Sequence, residues 1–296
     1  MFEIADRLVA AYDAGRPVAV ATAIAIEGSA PRTVGTSMAF DGSAVIGSIA
    51  GGCVEGAVVE VAARVLATGE PETVDYGVSD ETAMSVGLTC GGDLRVHVQL
   101  LTAELVASLR AGTEVEVCAE FTERPPVERR MIILGAMEYS AALAAASSVL
   151  GYRVTVVDPR PLFATAERFP SAEVVVEWPP EYLERTTIDE STVICVLSHD
   201  WRFDADALAV ALQSPAGYVG AMGSRTTHAR RVASLVERGI PVDRLHSPIG
   251  LDLGASTPEE TAVSILAEVM SARVGASASR LTDVDGPIHE RFRQRA

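Results

Sequence analysis

Apolar positions along this chain switch repeatedly between a helical and an alternating period, and the switches mark out its elements. Phe2, Ile4, Leu8, Val9 and Tyr12 share one helical face, which predicts a helix at the start. Residues 16–26 form an apolar run that reads as a buried strand, followed by a turn-rich loop over 27–36. Residues 37–40 and 44–49 read as two strands joined at Asp41-Gly42, a pair suited to a type I′ hairpin turn. A helix is predicted from Cys53 to Leu66, stopped by Gly69 and Pro71. Strands follow at 73–76, 94–100 and 114–121, with a short helix over 102–110.

Back-to-back Pro125 and Pro126, with charges on either side, predict a linker. Beyond it strands and helices alternate. Strands are expected at 131–134, 153–157, 173–176, 192–197 and 218–220, and helices at 138–150, 205–212, 226–238 and 258–273. Such alternation implies a parallel sheet covered by helices. The expectation is an α/β protein: a mixed α+β domain over 1–124, a Rossmann-like domain over 125–273, and a tail over 274–296.

Composition narrows the function. The chain has 296 residues, 48% hydrophobic and 22% charged, enough to bury cores. Its net charge is −16 and every one of its 24 basic residues is Arg. That acidity argues against nucleic acid or an anionic membrane as partner. No signal peptide and no membrane-spanning run is visible, so a cytoplasmic protein with reduced thiols is expected.

Cys118 and Cys195 lie inside apolar runs and read as strand residues. Cys53 and Cys90 instead adjoin glycine pairs, Gly51-Gly52 and Gly91-Gly92. Such glycines let backbone N–H groups approach an anionic ligand. Cys53 also sits where a helix is predicted to start, and the positive end of the helix dipole favours thiolate there. The competing reading makes each cysteine a small apolar residue in tight packing. Arg32 either forks onto a phosphate or is an ordinary surface arginine. Ser29 and Ser48 either donate to the same anion or cap their loops.

In the second half, Gly135 and Asp158 have the spacing of a dinucleotide-binding unit, but Met137 and Ser140 replace its other two glycines. Glu138 puts a negative charge where a phosphate belongs. Tight NAD(P) or FAD binding at this turn is therefore disfavoured. His199 and Asp200 follow a strand at the ligand-binding edge of an open sheet, as a proton-transfer pair or as loop-ordering residues. Gly223, Ser224 and Arg225 form a second strand-to-helix turn suited to an anion, and Asp158 and Arg160 border the same crevice. Thr257, Pro258, Glu259 and Glu260 read as helix initiation.

Taken together, Gly28-Ser29-Ala30-Pro31-Arg32, Gly47 through Glu55, and Gly87 through Gly92 resemble the XdhC/CoxI family of molybdenum hydroxylase accessory proteins. So do Val157-Asp158-Pro159-Arg160, Ser198-His199-Asp200, Gly220 through Arg225, Pro248 through Leu251, and Thr257 through Glu260. The resemblance extends to about Arg273. It implies a non-enzymatic chaperone that binds molybdenum cofactor (molybdopterin) and assists replacement of a metal oxo ligand by sulfur. The loaded cofactor then passes to a xanthine dehydrogenase or CO dehydrogenase-type apoenzyme. A cysteine desulfurase is the implied sulfur source, and a homodimer is expected. Cys53 and Cys90 would be the reactive and metal-facing thiols, and Ser29, Arg32, Ser48, Gly51, Gly52, Gly91, Gly92, Gly135, Asp158, Arg160, His199, Gly223, Ser224 and Arg225 the cofactor-binding residues. Gly135-Ala136-Met137-Glu138 departs from the family's Gly-x-Gly-His turn, and Asp93 stands where a basic residue is common. The rival readings are an NAD(P)- or FAD-dependent oxidoreductase using Gly135, Asp158 and His199, and an adaptor that holds no cofactor.

Overall fold

A computed structural model of the chain describes residues 1–28, 32–77 and 93–285. They fall into two compact units: Met1–Pro126 together with the stretch from Leu281 onward, and Val127–Arg280. The paired prolines lie at the boundary.

In the first unit a 3₁₀ turn, Phe2–Ile4, leads into α1 (Ala5–Asp13), which buries Leu8 and Ala11. β1 (Ala19–Glu27) is the centre of an antiparallel sheet ordered β3-β2-β1-β5-β4, with β2 Ser37–Phe40, β3 Val45–Gly47, β4 Glu72–Tyr76 and β5 Asp93–Leu100. β1 is apolar without alternation because both its faces are covered. Val18, Val20 and Ile24 join a cluster with Leu8 of α1 and Leu105, Val106 and Leu109 of α3 (Ala103–Ala111). Ala19, Ala21 and Ala23 face the other way, onto Val58, Val61 and Val65 of α2 (Glu55–Thr68). Leu105 N–H donates to Thr102 Oγ1, capping α3, and Gly69 ends α2 in the left-handed conformation at φ +79°.

Two local expectations change. Residues 114–121 are not one strand: β6 (Val115–Cys118) and β7 (Phe121–Glu123) form a hairpin. The chain reverses at Ala119-Glu120, and Phe121 packs back on the cluster that holds Val115 and Val117. The β2–β3 turn is also not type I′, which needs left-handed φ at both central residues. Only Gly42, at φ +87°, is left-handed, while the Asp41 carboxylate accepts from the N–H groups of Ser43 and Ala44.

The second unit is built on a parallel sheet ordered β10-β9-β8-β11-β12-β13. Its strands are β8 Arg129–Leu134, β9 Tyr152–Val157, β10 Glu173–Val175, β11 Thr192–Val196, β12 Tyr218–Ala221 and β13 Leu245–His246. Alternate residues of β8 feed separate cores. Met131 and Ile133 pack with Leu143 of α4 (Glu138–Val149) and with Ile265 and Val269 of α8 (Pro258–Val274). Ile132 and Leu134 pack with Leu183 of α5 (Pro179–Arg185), Leu208 of α6 (Asp204–Gln213) and Leu235 of α7 (Arg225–Glu237). Burying each such side chain contributes roughly 1.5–3 kcal/mol. α5 and β13 have no counterpart in the expected elements, being too short for a periodic signal. Thr257 and Glu260 form a reciprocal capping box at the start of α8. Strand order reverses between β8 and β11, so the crevice beyond their C-terminal ends is the topological switch point.

No described helix is long and apolar enough to cross a membrane.

Candidate functional site

Cys53 lies on the segment between β3 and α2. Gly47 starts that segment at φ +78°, and a Cβ there would come within 2.9 Å of the Ser37 carbonyl oxygen, so glycine is required. Gly51 (φ +78°) and Gly52 (φ +113°) continue in the left-handed region. Cys53 is a free, half-buried thiol leaning on the core cluster beneath α2.

Most backbone donors of this loop are already engaged within the chain, four of them by Glu55. Its Oε1 accepts from the Ser48 hydroxyl at 2.7 Å, from Ala50 N–H at 3.0 Å and from Ile49 N–H at 3.2 Å. Its Oε2 accepts from Gly52 N–H at 2.8 Å and Val54 N–H at 3.2 Å. Partial burial works against ionisation of Glu55. The Ala50 amide, the Ser48 hydroxyl and the Gly52 amide more than offset it and hold the carboxyl at about 2. The expectation that Ser48 and the Gly51-Gly52 amides serve an anionic ligand thus meets a competing partner: Ser48 and Gly52 donate to Glu55, and Gly51 N–H donates to Ser48 Oγ.

Arg32 extends to Glu3, Nη2 to Oε2 at 2.6 Å, as a solvent-exposed pair. Ser29, Cys90, Gly91 and Gly92 lie outside the described residues. Among the described residues no three His, Cys, Asp or Glu side chains gather closely enough to hold a metal.

The crevice of the second unit begins at Gly135, with φ +104°, where a Cβ would stand 2.8 Å from Ser198 N. Asp158 is fully buried beneath it. Its Oδ2 accepts from Ala136 N–H and Arg160 Nη2, and its Oδ1 from Arg160 N–H and Nε, all at 2.7–2.9 Å. Burial opposes the charge on Asp158, but the Arg160 guanidinium and the Ala136 amide hold its carboxyl below the ordinary range. The acceptors a ribose hydroxyl needs are occupied. Arg168 pairs with Glu138 at 2.7 Å, and the Arg160 guanidinium stands over the Phe163 ring, 4.6 Å from its centroid.

His199 and Asp200 do not act on each other as a pair. His199 is exposed, while Asp200 accepts a fork from Arg202 that pulls its carboxyl down to about 2. Ser224 caps α7 by accepting from Thr227 N–H, Gly223 sits against Arg231 and Thr227, and Arg225 is exposed in the first turn.

The sequence reading missed one constellation. Buried Ser198 donates to Asp204 Oδ1, and Asp204 Oδ2 accepts from Arg231 Nη2 at 2.6 Å. Arg231 also donates to the carbonyls of Met222 and Ser198. This network ties the ends of β11 and β12 to α6 and α7. Asp204 looks like any acidic residue of a first helical turn, and Arg231 like a polar-face residue, so no local signal marks them.

The sequence pattern of the XdhC Rossmann domain matches residues 131–269, and that of the XdhC and CoxI family matches residues 11–77. This chain belongs to the XdhC and CoxI family. It is similar to a probable xanthine dehydrogenase subunit of Bacillus subtilis (strain 168), with 26% identity over 86% of this chain and 92% of that protein. Similarity also extends to the molybdenum cofactor insertion chaperone PaoD of Escherichia coli K12, at 26% identity over 90% of this chain and 86% of PaoD. A crystal structure of a xanthine dehydrogenase from Bacillus halodurans superposes with a TM-score of 0.77 at 25% identity, covering 95% of this chain and 98% of that one. The XdhC Rossmann match encloses the switch-point crevice, and the family's other match encloses the Cys53 loop.

Proposed function

We propose that this chain is a maturation factor that binds molybdenum cofactor and delivers it to a molybdenum hydroxylase of the xanthine dehydrogenase or CO dehydrogenase type. The observation that carries the reading is Cys53: a partly accessible thiol, on a glycine turn fixed by Glu55, inside the XdhC and CoxI match. A soft thiolate is a suitable ligand for the metal. The similarity to PaoD supports the cargo, and the similarity to the Bacillus subtilis protein supports the client class.

In this reading Cys53 and Cys90 face the metal while a cysteine desulfurase supplies the sulfur that replaces an oxo ligand. Arg32 and Ser29 bind the anionic part of the cofactor, and Arg160, His199, Ser224 and Arg225 form the polar rim of the second unit. The chain works as a homodimeric carrier rather than a catalyst.

The test is anaerobic loading with molybdenum cofactor, followed by metal analysis and activation of a cofactor-free hydroxylase. Wild type retains molybdenum and activates the client; Cys53→Ser and Cys90→Ser lose both. Undiminished retention and activation in the double variant would remove the thiols from the site. Activation without any retained cofactor favours an adaptor instead.

A further inference from the structure

We propose that Glu55 is the positioning residue for the Cys53 thiol, an inference that rests on the functional reading above. Two consecutive left-handed glycines, Gly51 and Gly52, precede the cysteine. Glycine has the largest conformational freedom of any residue, so a thiol carried on such a pair has no fixed direction unless the loop is held from elsewhere. Glu55 holds it. One carboxylate gathers the hydroxyl of Ser48 and the amides of Ile49, Ala50, Gly52 and Val54, reaching back from the first residue of α2 across the whole turn. Ser48 extends the arrangement by accepting from Gly51 N–H at 3.2 Å.

The chemistry requires a carboxylate. Ionised, it offers two acceptor oxygens and no donor, which matches a ring of donors converging from both sides. Glutamine would keep one oxygen and turn an NH₂ group toward part of that ring, replacing attraction with donor–donor repulsion. Aspartate keeps both acceptors but is one methylene shorter. Val54, at the N-cap, makes no side-chain cap to α2, so Glu55 is also what ties the loop to the helix start. Because these amides are satisfied within the chain, an anionic cargo meets the loop through the thiol rather than through a nest of backbone donors.

The test uses the full chain as wild type, Glu55→Gln, Glu55→Asp and Ser48→Ala, each checked for folding by circular dichroism. Two readouts are taken: labelling of Cys53 by N-ethylmaleimide, followed by peptide mass spectrometry, and molybdenum retained after anaerobic loading. Glu55→Gln should label Cys53 several-fold faster while Cys118 labels at the wild-type rate, and should retain several-fold less molybdenum. Glu55→Asp should recover part of both. Unchanged Cys53 labelling in folded Glu55→Gln overturns the assignment, whatever the cofactor does. Tighter molybdenum retention in Glu55→Gln also overturns it, showing Glu55 to be a stand-in that the cargo displaces. If Glu55→Gln does not fold, Glu55→Asp and Ser48→Ala decide, with wild-type labelling in both counting against the proposal. If wild type itself retains no molybdenum, the cargo reading fails, and the labelling result still judges Glu55.

Discussion

Asp204 and Arg231 meet inside the second unit with Oδ2 and Nη2 2.6 Å apart, and both side chains are less than a tenth exposed. Removing one partner strands the other charge away from water, which typically costs about 3–5 kcal/mol. Arg231→Met is therefore expected to lower the urea midpoint severely, whereas Asp204→Leu combined with Arg231→Met should regain much of the loss. Urea unfolding of both variants checks this; equal losses would mean the carboxylate finds other partners.

Gly135 and Gly151 both adopt positive φ, at +104° and +78°, but only Gly135 is crowded, by Ser198; nothing lies near a Cβ at Gly151. Gly151→Ala should cost about 1–2 kcal/mol from conformation alone. Gly135→Ala adds a backbone clash and should cost clearly more. The two denaturation midpoints give the comparison directly.

Asp41 makes the β2–β3 turn pH-dependent. The Ser43 amide, then the Ala44 amide and the Ser43 hydroxyl, lower its carboxyl from 3.8 to about 2. The folded state thus prefers the carboxylate, so its stabilising contribution is complete above pH 4 and fades as pH falls toward 2. Asp41→Asn should flatten the stability profile in that window and leave the slope near neutral pH unchanged. Thermal melts at stepped pH measure it.

Asp158 cannot accept from a ribose while Arg160 and Ala136 hold both its oxygens. NAD, NADP and FAD are expected to leave the melting temperature unmoved. A ligand at a hundred times its Kd would add about 2.7 kcal/mol, so a clear upward shift would revive the oxidoreductase reading.

Cys53 and Cys195 should differ sharply toward a thiol reagent. Cys195 has no exposed surface, and burial, with the Glu268 charge added, pushes its thiol up. Native protein should label at Cys53 and spare Cys195 until urea unfolds it, as peptide mass spectrometry will report.

Strand–helix alternation after Pro126 was legible because the central strands β8, β9, β11 and β12 are largely buried and so read as apolar runs between helical segments. The elements that escaped, α5, β13 and the β6–β7 break, are too short for a period to establish itself. Motif reading found the Cys53 loop and the crevice residues, but not the hydrogen-bond partners each side chain takes. His199 and Asp200 are neighbours in sequence, yet Asp200 turns to Arg202, because a guanidinium fork offers a carboxylate two charge-assisted donors.

By itself the sequence determined the fold class, the family, and the glycines that let Cys53 sit on a turn. Those are properties of local periodicity and backbone permissiveness, and each can be read within a few residues. Which groups remain available to a ligand was decided only in three dimensions. Glu55 over the loop amides, Arg160 and Ala136 on Asp158, and Arg231 on Asp204 are choices among competing hydrogen-bond partners. Such choices depend on distances and burial that chain order does not encode.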